Sequence, residues 1–184
     1  SAFAFNPLLI SPEQMVAHGF LGKADLAGAA DINQKAGQID YDRARAAKKD
    51  LLLKAFELHR KEPDFESFCR QNAHWLDDYA LFSVLSRQYV GRYWRQWPQG
   101  LARRDTGALA AAARQLSEHI GRICFFQYLF YRQWVDLKAF CHQHQVRIMG
   151  DMPIYVPLHS TDVWANPHLF KLDPEFRPTA VSGV

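Results

Sequence analysis

From Val146 to Val156 the sequence reads VRIMGDMPIYV. Val146 and Ile148 alternate with Arg147 and Met149, which is the period of a β-strand, and Gly150 lets the backbone approach a neighbour or a ligand closely. Asp151 follows at once, and Pro153 stops an ordinary central strand from continuing. A long helical pattern ends just upstream at Cys141-His142-Gln143-His144, so helix, short loop and strand arrive in the order used by βα barrels. In such barrels reacting groups sit at the carboxyl ends of strands, and Asp151 holds that position. A second reading of the same residue stays open: an Asp near a Pro can shape a turn by bonding its own backbone.

A chain of 184 residues has room for one ordinary domain with a real core, and 48% hydrophobic against 22% charged residues is a globular balance. The net charge of +3 comes from basic residues scattered among acidic ones, which gives a polyanion no patch to bind and makes nucleic acid an unexpected partner. Cys69, Cys124 and Cys141 are an odd set, each in an apolar helical pattern, as expected of free thiols in a reducing cytoplasm. The opening SAFAFNPLLI lacks the charge and apolar run of a secretory signal, and no stretch reaches the roughly 18 apolar residues of a membrane span. A soluble, cytoplasmic protein without a membrane partner is expected.

In chain order, Phe3 to Ile10 reads as a strand. Ser11, Pro12 and Gln14 then form a helix start, with Ser11 at the N-cap and Gln14 placed to reach back as in a capping box. Gly19 closes that helix, and Gly22, Gly28 and Gly37 make Phe20 to Tyr41 loop-like. A helix is expected over Asp42 to Lys61, ended by Pro63, and another through Phe65, Phe68, Leu76, Tyr79, Phe82 and Leu85. Asp77 and Asp78 are adjacent and point about 100° apart on a helix, so one is expected to cap or pair and the other to be solvated. The turn Tyr93-Trp94-Arg95-Gln96-Trp97-Pro98 suits either stacking on sugar or base faces or seating one helical hairpin on another. Ala108 to His142 is too long for one average helix, and a break is expected near Gly121.

Cys141, His142 and His144 lack a matched second cluster for a four-ligand zinc site, so no metal is expected. There is no glycine-rich phosphate loop, no GxSxG elbow and no internal repeat, which leaves hydride and phosphoryl transfer without support and calls for no cofactor.

The longer string GDMPIYVPLHSTDVWANPHLFKLDPEFRPTAVSGV resembles the 4-α-glucanotransferases, the amylomaltase or disproportionating-enzyme family, whose members carry GDxPIYV, then DSADVWANPxLF, then LDxxGRPxxVAGV. SAFAFNPLLIS, Ile39-Asp40-Tyr41, FCRQNAHWLDDYALF and the segment around Tyr128 to Trp134 are similar to the family too. Phe5 stands where many relatives have Gly, and His159 where an acidic residue is common. The resemblance implies an α/β fold: part of a TIM (β/α)8 barrel with an all-helical insertion between two barrel strands. It divides the chain into a strand, short helix and loop over 1–41, the helical insertion over 42–121, and a barrel helix, the Asp-bearing strand and a connection over 122–184.

The activity implied is transfer of α-1,4-glucan segments between maltooligosaccharide or starch chains by a retaining double displacement, which needs a carboxylate nucleophile and a carboxylic acid. In the family both lie beyond the position matching Val184, so the chain reads as an interior piece, inactive alone, whose partners are the glucan and the remainder of the barrel. Asp151 is implied as a supporting carboxylate that binds donor glucose and adds negative field at the transition state. Tyr155 and Asn6 are further substrate-contacting candidates. Tyr41 either contacts glucan away from the reaction centre or packs at the start of its helix. Ser160, Asp162, Trp164 and Asn166 are expected to build the connection beneath the pocket. The alternative is a non-catalytic carbohydrate-binding or scaffold domain derived from such an enzyme.

Overall fold

Proline and small polar residues set most element boundaries in the computed structural model, which describes residues 2–27, 40–151 and 153–180. Gly28, Gly37 and Ile39 lie outside the described residues. Seven α-helices are described: α1 (Pro12–Ala17), α2 (Tyr41–His59), α3 (Pro63–Gln88), α4 (Gln99–Ala102), α5 (Thr106–Gln115), α6 (Ser117–Gln143) and α7 (Thr161–Ala165). Ser11 starts α1 by accepting the Gln14 N–H at 3.2 Å. The capping box is only half formed, because the Ser11 backbone N–H goes to Gln133 Oε1 at 2.8 Å rather than to Gln14. Gly19, at φ +81°, ends the helix with paired bonds from Phe20 N–H to the Met15 carbonyl and from Gly19 N–H to the Val16 carbonyl. Asp40 caps α2 through the Arg43 N–H, and Pro63 opens α3 where its missing N–H costs nothing. No helix among the described residues is long and apolar enough to cross a membrane.

Three expectations are corrected. Phe3 to Ile10 is not a strand: Pro7–Leu9 forms a 3₁₀ turn capped by Asn6, since Pro7 fixes φ and has no N–H to give a ladder. Val146 to Gly150 has no regular structure, and the described residues contain no strand, only one isolated antiparallel bridge between Leu172 and Pro178. Alternation prepares a segment for a ladder, but the ladder itself requires a neighbour. The break in the long helical pattern falls at Leu116, the C-cap of α5, and Gly121 lies inside α6. One helical Gly costs only about 1 kcal/mol, which burial of every residue from Ile123 to Leu129 outweighs.

The chain divides into two compact units: unit 1 is Ser1–Ala4, Asn72–Ile123 and Asp151–Val184, and unit 2 is Phe5–Gln71 and Cys124–Gly150, so two of the four boundaries fall within α3 and α6. Unit 2 is built on an aromatic cluster in which Phe125 meets Phe56 and Phe65 edge-on at 5.7 and 5.2 Å, and Phe20 meets Phe125 and Tyr128 at 6.1 and 6.0 Å. Two glutamines of α6 hold the incoming chain as a neighbouring strand would. Gln127 bonds both the N–H and the carbonyl of Phe5, at 2.8 and 3.0 Å, and Gln133 does the same for Ser11 at 2.8 and 2.9 Å.

Unit 1 is organised on three tryptophans. Trp94, Trp97 and Trp164 are buried with Leu81, Phe82, Leu85, Leu101 and Val163. Two of the indole N–H groups are satisfied, Trp94 by the Leu158 carbonyl at 2.8 Å and Trp164 by the Leu101 carbonyl at 2.9 Å. The tryptophan turn is thus a packing device at Trp94 and Trp97, while Tyr93 remains half exposed. Asp78 accepts from Arg104 at 2.8 Å and Asp77 is exposed, the division of labour expected of an adjacent pair. Gly100 of α4 touches α5 so closely that an added Cβ would lie 2.8 Å from the Ala108 Cβ. Gly100→Ala is therefore expected to destabilise unit 1 by about 1–3 kcal/mol despite the better helix propensity of Ala, read as a lower urea midpoint.

Candidate functional site

Asp151 and Tyr155 belong to unit 1, on a stretch without regular structure, and both side chains are exposed, Tyr155 to 70%. A turn-forming Asp bonds the N–H two residues on, which at Asp151 would be that of Pro153, and Pro has none. Asp173 shows the contrast within the same unit: its Oδ1 accepts from Glu175 N–H at 3.0 Å and from Arg177 N–H at 2.7 Å, closing a turn around Pro174. Among the described residues the Asp151 carboxylate accepts no hydrogen bond of that kind, and it stands open to solvent.

The chain after Tyr155 becomes progressively anchored. Val156 and Leu158 pack against the tryptophan core, and His159 Nδ1 accepts the Trp94 backbone N–H at 3.1 Å. Ser160 is buried and caps α7 by accepting the Val163 N–H at 3.3 Å. Trp164, at 0% exposure, plugs the core, and Arg104 lies over its ring at 4.3 Å. Asp162 Oδ1 accepts the Ala2 N–H at 3.1 Å, and Asn166 Nδ2 donates to the Asp162 carbonyl at 3.4 Å. These four residues hold the connection that supports the Asp151 stretch.

A polar pocket of about 340 Å³ opens in unit 1 between α3 and this connection. Tyr79, Phe82, Ser83, Arg87, His159 and Thr161 are among its lining residues, and no carboxylate is. Asp151 and Tyr155 do not line it. Burial pushes the His159 imidazole below its ordinary value and the Tyr79 phenol above its own. Asp77, exposed as a residue but with its carboxyl partly shielded from water by its neighbours, is also raised, by that desolvation first and by the Asp78 charge second.

Asn6 and Tyr41 belong to unit 2. The Asn6 side-chain oxygen is engaged by the Leu8 N–H at 3.0 Å, and Tyr41, the first residue of α2, is 60% exposed. The packing alternative for Tyr41 therefore finds little buried surface. A groove of about 650 Å³ in unit 2 is walled mainly by Leu9, Phe130, Trp134, Leu137 and Phe140, and it includes neither Asn6 nor Tyr41. Gln14, Gln133 and Asp136 supply its polar lining. Among the described residues no three His, Cys, Asp or Glu side chains gather as metal ligands would, Cys141, His142 and His144 included.

Reasoning from sequence left His159 without a role and Trp94 with only a place in an aromatic turn, and the two meet across 65 positions of chain. The signal available was the departure at His159 from the string it otherwise matches.

Residues 1–184 match the family described as 4-alpha-glucanotransferase. The chain is 39% identical to a 4-alpha-glucanotransferase of Synechocystis over 95% of its length and 38% identical to one of Thermus thermophilus over all of it. It covers 35% and 37% of those two proteins, so it spans a little over a third of the curated relatives it matches. Among solved structures, the amylomaltase from Streptococcus agalactiae in complex with acarbose superposes with a TM-score of 0.88 at 33% identity, over 100% of this chain and 38% of the other.

Proposed function

Since the chain belongs to the 4-alpha-glucanotransferase family, we propose that it forms part of an enzyme that transfers α-1,4-glucan segments between maltooligosaccharide or starch chains in the cytoplasm. The reaction is a retaining double displacement in which a sugar hydroxyl, rather than water, resolves the covalent glycosyl-enzyme. Val146 to Asp151 serves as a barrel strand once neighbouring strands supply its ladder, and the helices of 42–121 stand as an insertion on that partial (β/α)8 barrel. Asp151 hydrogen-bonds hydroxyls of the donor glucose and adds negative field beside the positively charged, oxocarbenium-like transition state. Tyr155, Asn6 and Tyr41 contact the glucan around it. The nucleophile and the acid/base come from the parent protein outside these 184 residues, and the segment alone transfers nothing.

The observation that carries this reading is the carboxylate of Asp151, exposed within a GDMPIYV string and barred by Pro153 from the usual turn-forming bond. The acarbose held by the amylomaltase from Streptococcus agalactiae supports an α-glucan as the ligand class. Incubating the parent protein with maltotriose is expected to yield glucose together with longer maltodextrins, resolved by chromatography. The isolated segment is expected to leave maltotriose unchanged. A parent protein that binds maltodextrin without redistributing it would identify a non-catalytic carbohydrate-binding domain instead.

A further inference from the structure

Among the described residues the stretch Asp151 to Pro157 makes no hydrogen bond; the first to hold it come at Leu158 and His159. Both are given by one residue. The Trp94 indole N–H donates to the Leu158 carbonyl at 2.8 Å, and the Trp94 backbone N–H donates to His159 Nδ1 at 3.1 Å. Trp94 is itself 1% exposed, so it is a fixed post rather than a mobile partner. Accepting at Nδ1 places the imidazole proton on Nε2, which faces Ser86 Oγ at 3.5 Å. The rings of Phe82, Tyr93 and Trp97 surround the imidazole at 5.3, 5.5 and 6.1 Å.

We propose that His159 is a positioning residue for Asp151: its bond to the Trp94 N–H, with the companion bond at Leu158, sets where the Asp151–Tyr155 stretch leaves the tryptophan core. This inference rests on the function proposed above. Losing the His159 bond leaves the Leu158 carbonyl bond to carry that end of the stretch alone, and a pocket carboxylate displaced by about 1 Å loses much of its effect on a transition state.

The clasp is sensitive to acid, because an imidazolium donates from both nitrogens and presents an N–H to the Trp94 N–H. Among the described residues that line the pocket with His159 there is no carboxylate to stabilise an imidazolium. From α3 the pocket receives Tyr79 and Arg87, the turn contributes Tyr93 with the Arg95 guanidinium 5.8 Å over its ring, and the Asp162 Oδ1 of α7 accepts from Ala2. Burial holds the clasped His159 below its ordinary value. The unclasped form therefore takes up the proton first, so the clasp is complete above the ordinary imidazole value of roughly 6.5 and weakens as the pH falls from there toward the lower folded value.

The test uses the parent enzyme with His159→Ala, His159→Asn and Asp151→Asn, following kcat/KM for maltotriose across about pH 5 to 8 and the exchange rate of the Trp94 amide. His159→Ala is expected to lower kcat/KM roughly 5–10-fold near neutrality, the kinetic equivalent of one ordinary hydrogen bond. His159→Asn, whose Oδ1 accepts the same N–H without titrating, is expected to restore activity and to remove the acid limb due to the clasp. Asp151→Asn is expected to cost less in the His159→Ala background than in the wild type, since its carboxylate is already displaced. A His159→Ala enzyme whose Trp94 amide exchanges faster while kcat/KM and the acid limb stay unchanged overturns the positioning role, as does an additive cycle with Asp151→Asn. A wild-type parent that redistributes no maltotriose overturns the functional reading itself, and positioning for that chemistry with it, while the amide exchange still reports whether the clasp forms.

Discussion

Trp164→Ala is expected to lower the stability of unit 1 by about 3–5 kcal/mol. The side chain is fully buried, with Phe82 and Trp97 rings at 5.6 and 5.9 Å, so its removal opens a cavity that the neighbouring aromatics cannot fill without leaving their rotamers. Two polar effects add to the cavity. The Leu101 carbonyl, in a buried residue, loses the indole N–H at 2.9 Å. Arg104, held over the ring at 4.3 Å and paired with Asp78, loses its aromatic face. Trp164→Phe separates these contributions, since it keeps most of the apolar volume but not the N–H. It is expected to cost about 1–3 kcal/mol, the penalty of an unsatisfied buried acceptor. Urea midpoints at constant slope measure both, and a Phe variant as unstable as Ala would show that the hydrogen bond, not the packing, dominates.

The helical part of this fold was legible because caps and prolines are local signals. Ser11, Gly19 and Pro63 act where their neighbours in sequence say they act, and apolar spacing marked Phe65, Phe68, Phe82 and Leu85 for burial. What failed was non-local. Phe3 to Ile10 and the alternating Val146 to Gly150 look like strand, but a strand is a property of a pair, and Gln127 satisfies Phe5 of the first segment by side chain instead. Gly121 misled because a weak local preference lost to seven consecutive buried residues of α6. At the candidate site, the sequence marked Asp151 by its place in the matched string and left a turn-forming role open, and the same string placed Ser160 and Trp164 in the connection that follows, where both are buried. The clasp between His159 and Trp94 was not legible, since nothing local in either residue announces a bond across 65 positions.

In the parent enzyme, Asp151→Asn is expected to lower turnover of maltotriose by about 100–1000-fold, the range for losing one well-placed electrostatic contribution to a transition state. The substitution conserves size and leaves an oxygen to accept a sugar hydroxyl, so ground-state contacts change little and the loss falls on kcat more than on KM. What disappears is the negative charge, whose attraction for the oxocarbenium-like centre grows only as the glycosidic bond breaks. Stability should hardly move, because the carboxylate is exposed and such surface changes stay within about 0.5 kcal/mol. Initial rates of glucose release and a thermal midpoint on the same preparation check both halves. A variant that melts early yet turns over at the wild-type rate would make Asp151 a structural residue after all. That result would move the search for the pocket carboxylate elsewhere, since Asp173, the other loop Asp of unit 1 that Pro follows closely, is half-buried with its Oδ1 committed to the N–H groups of Glu175 and Arg177.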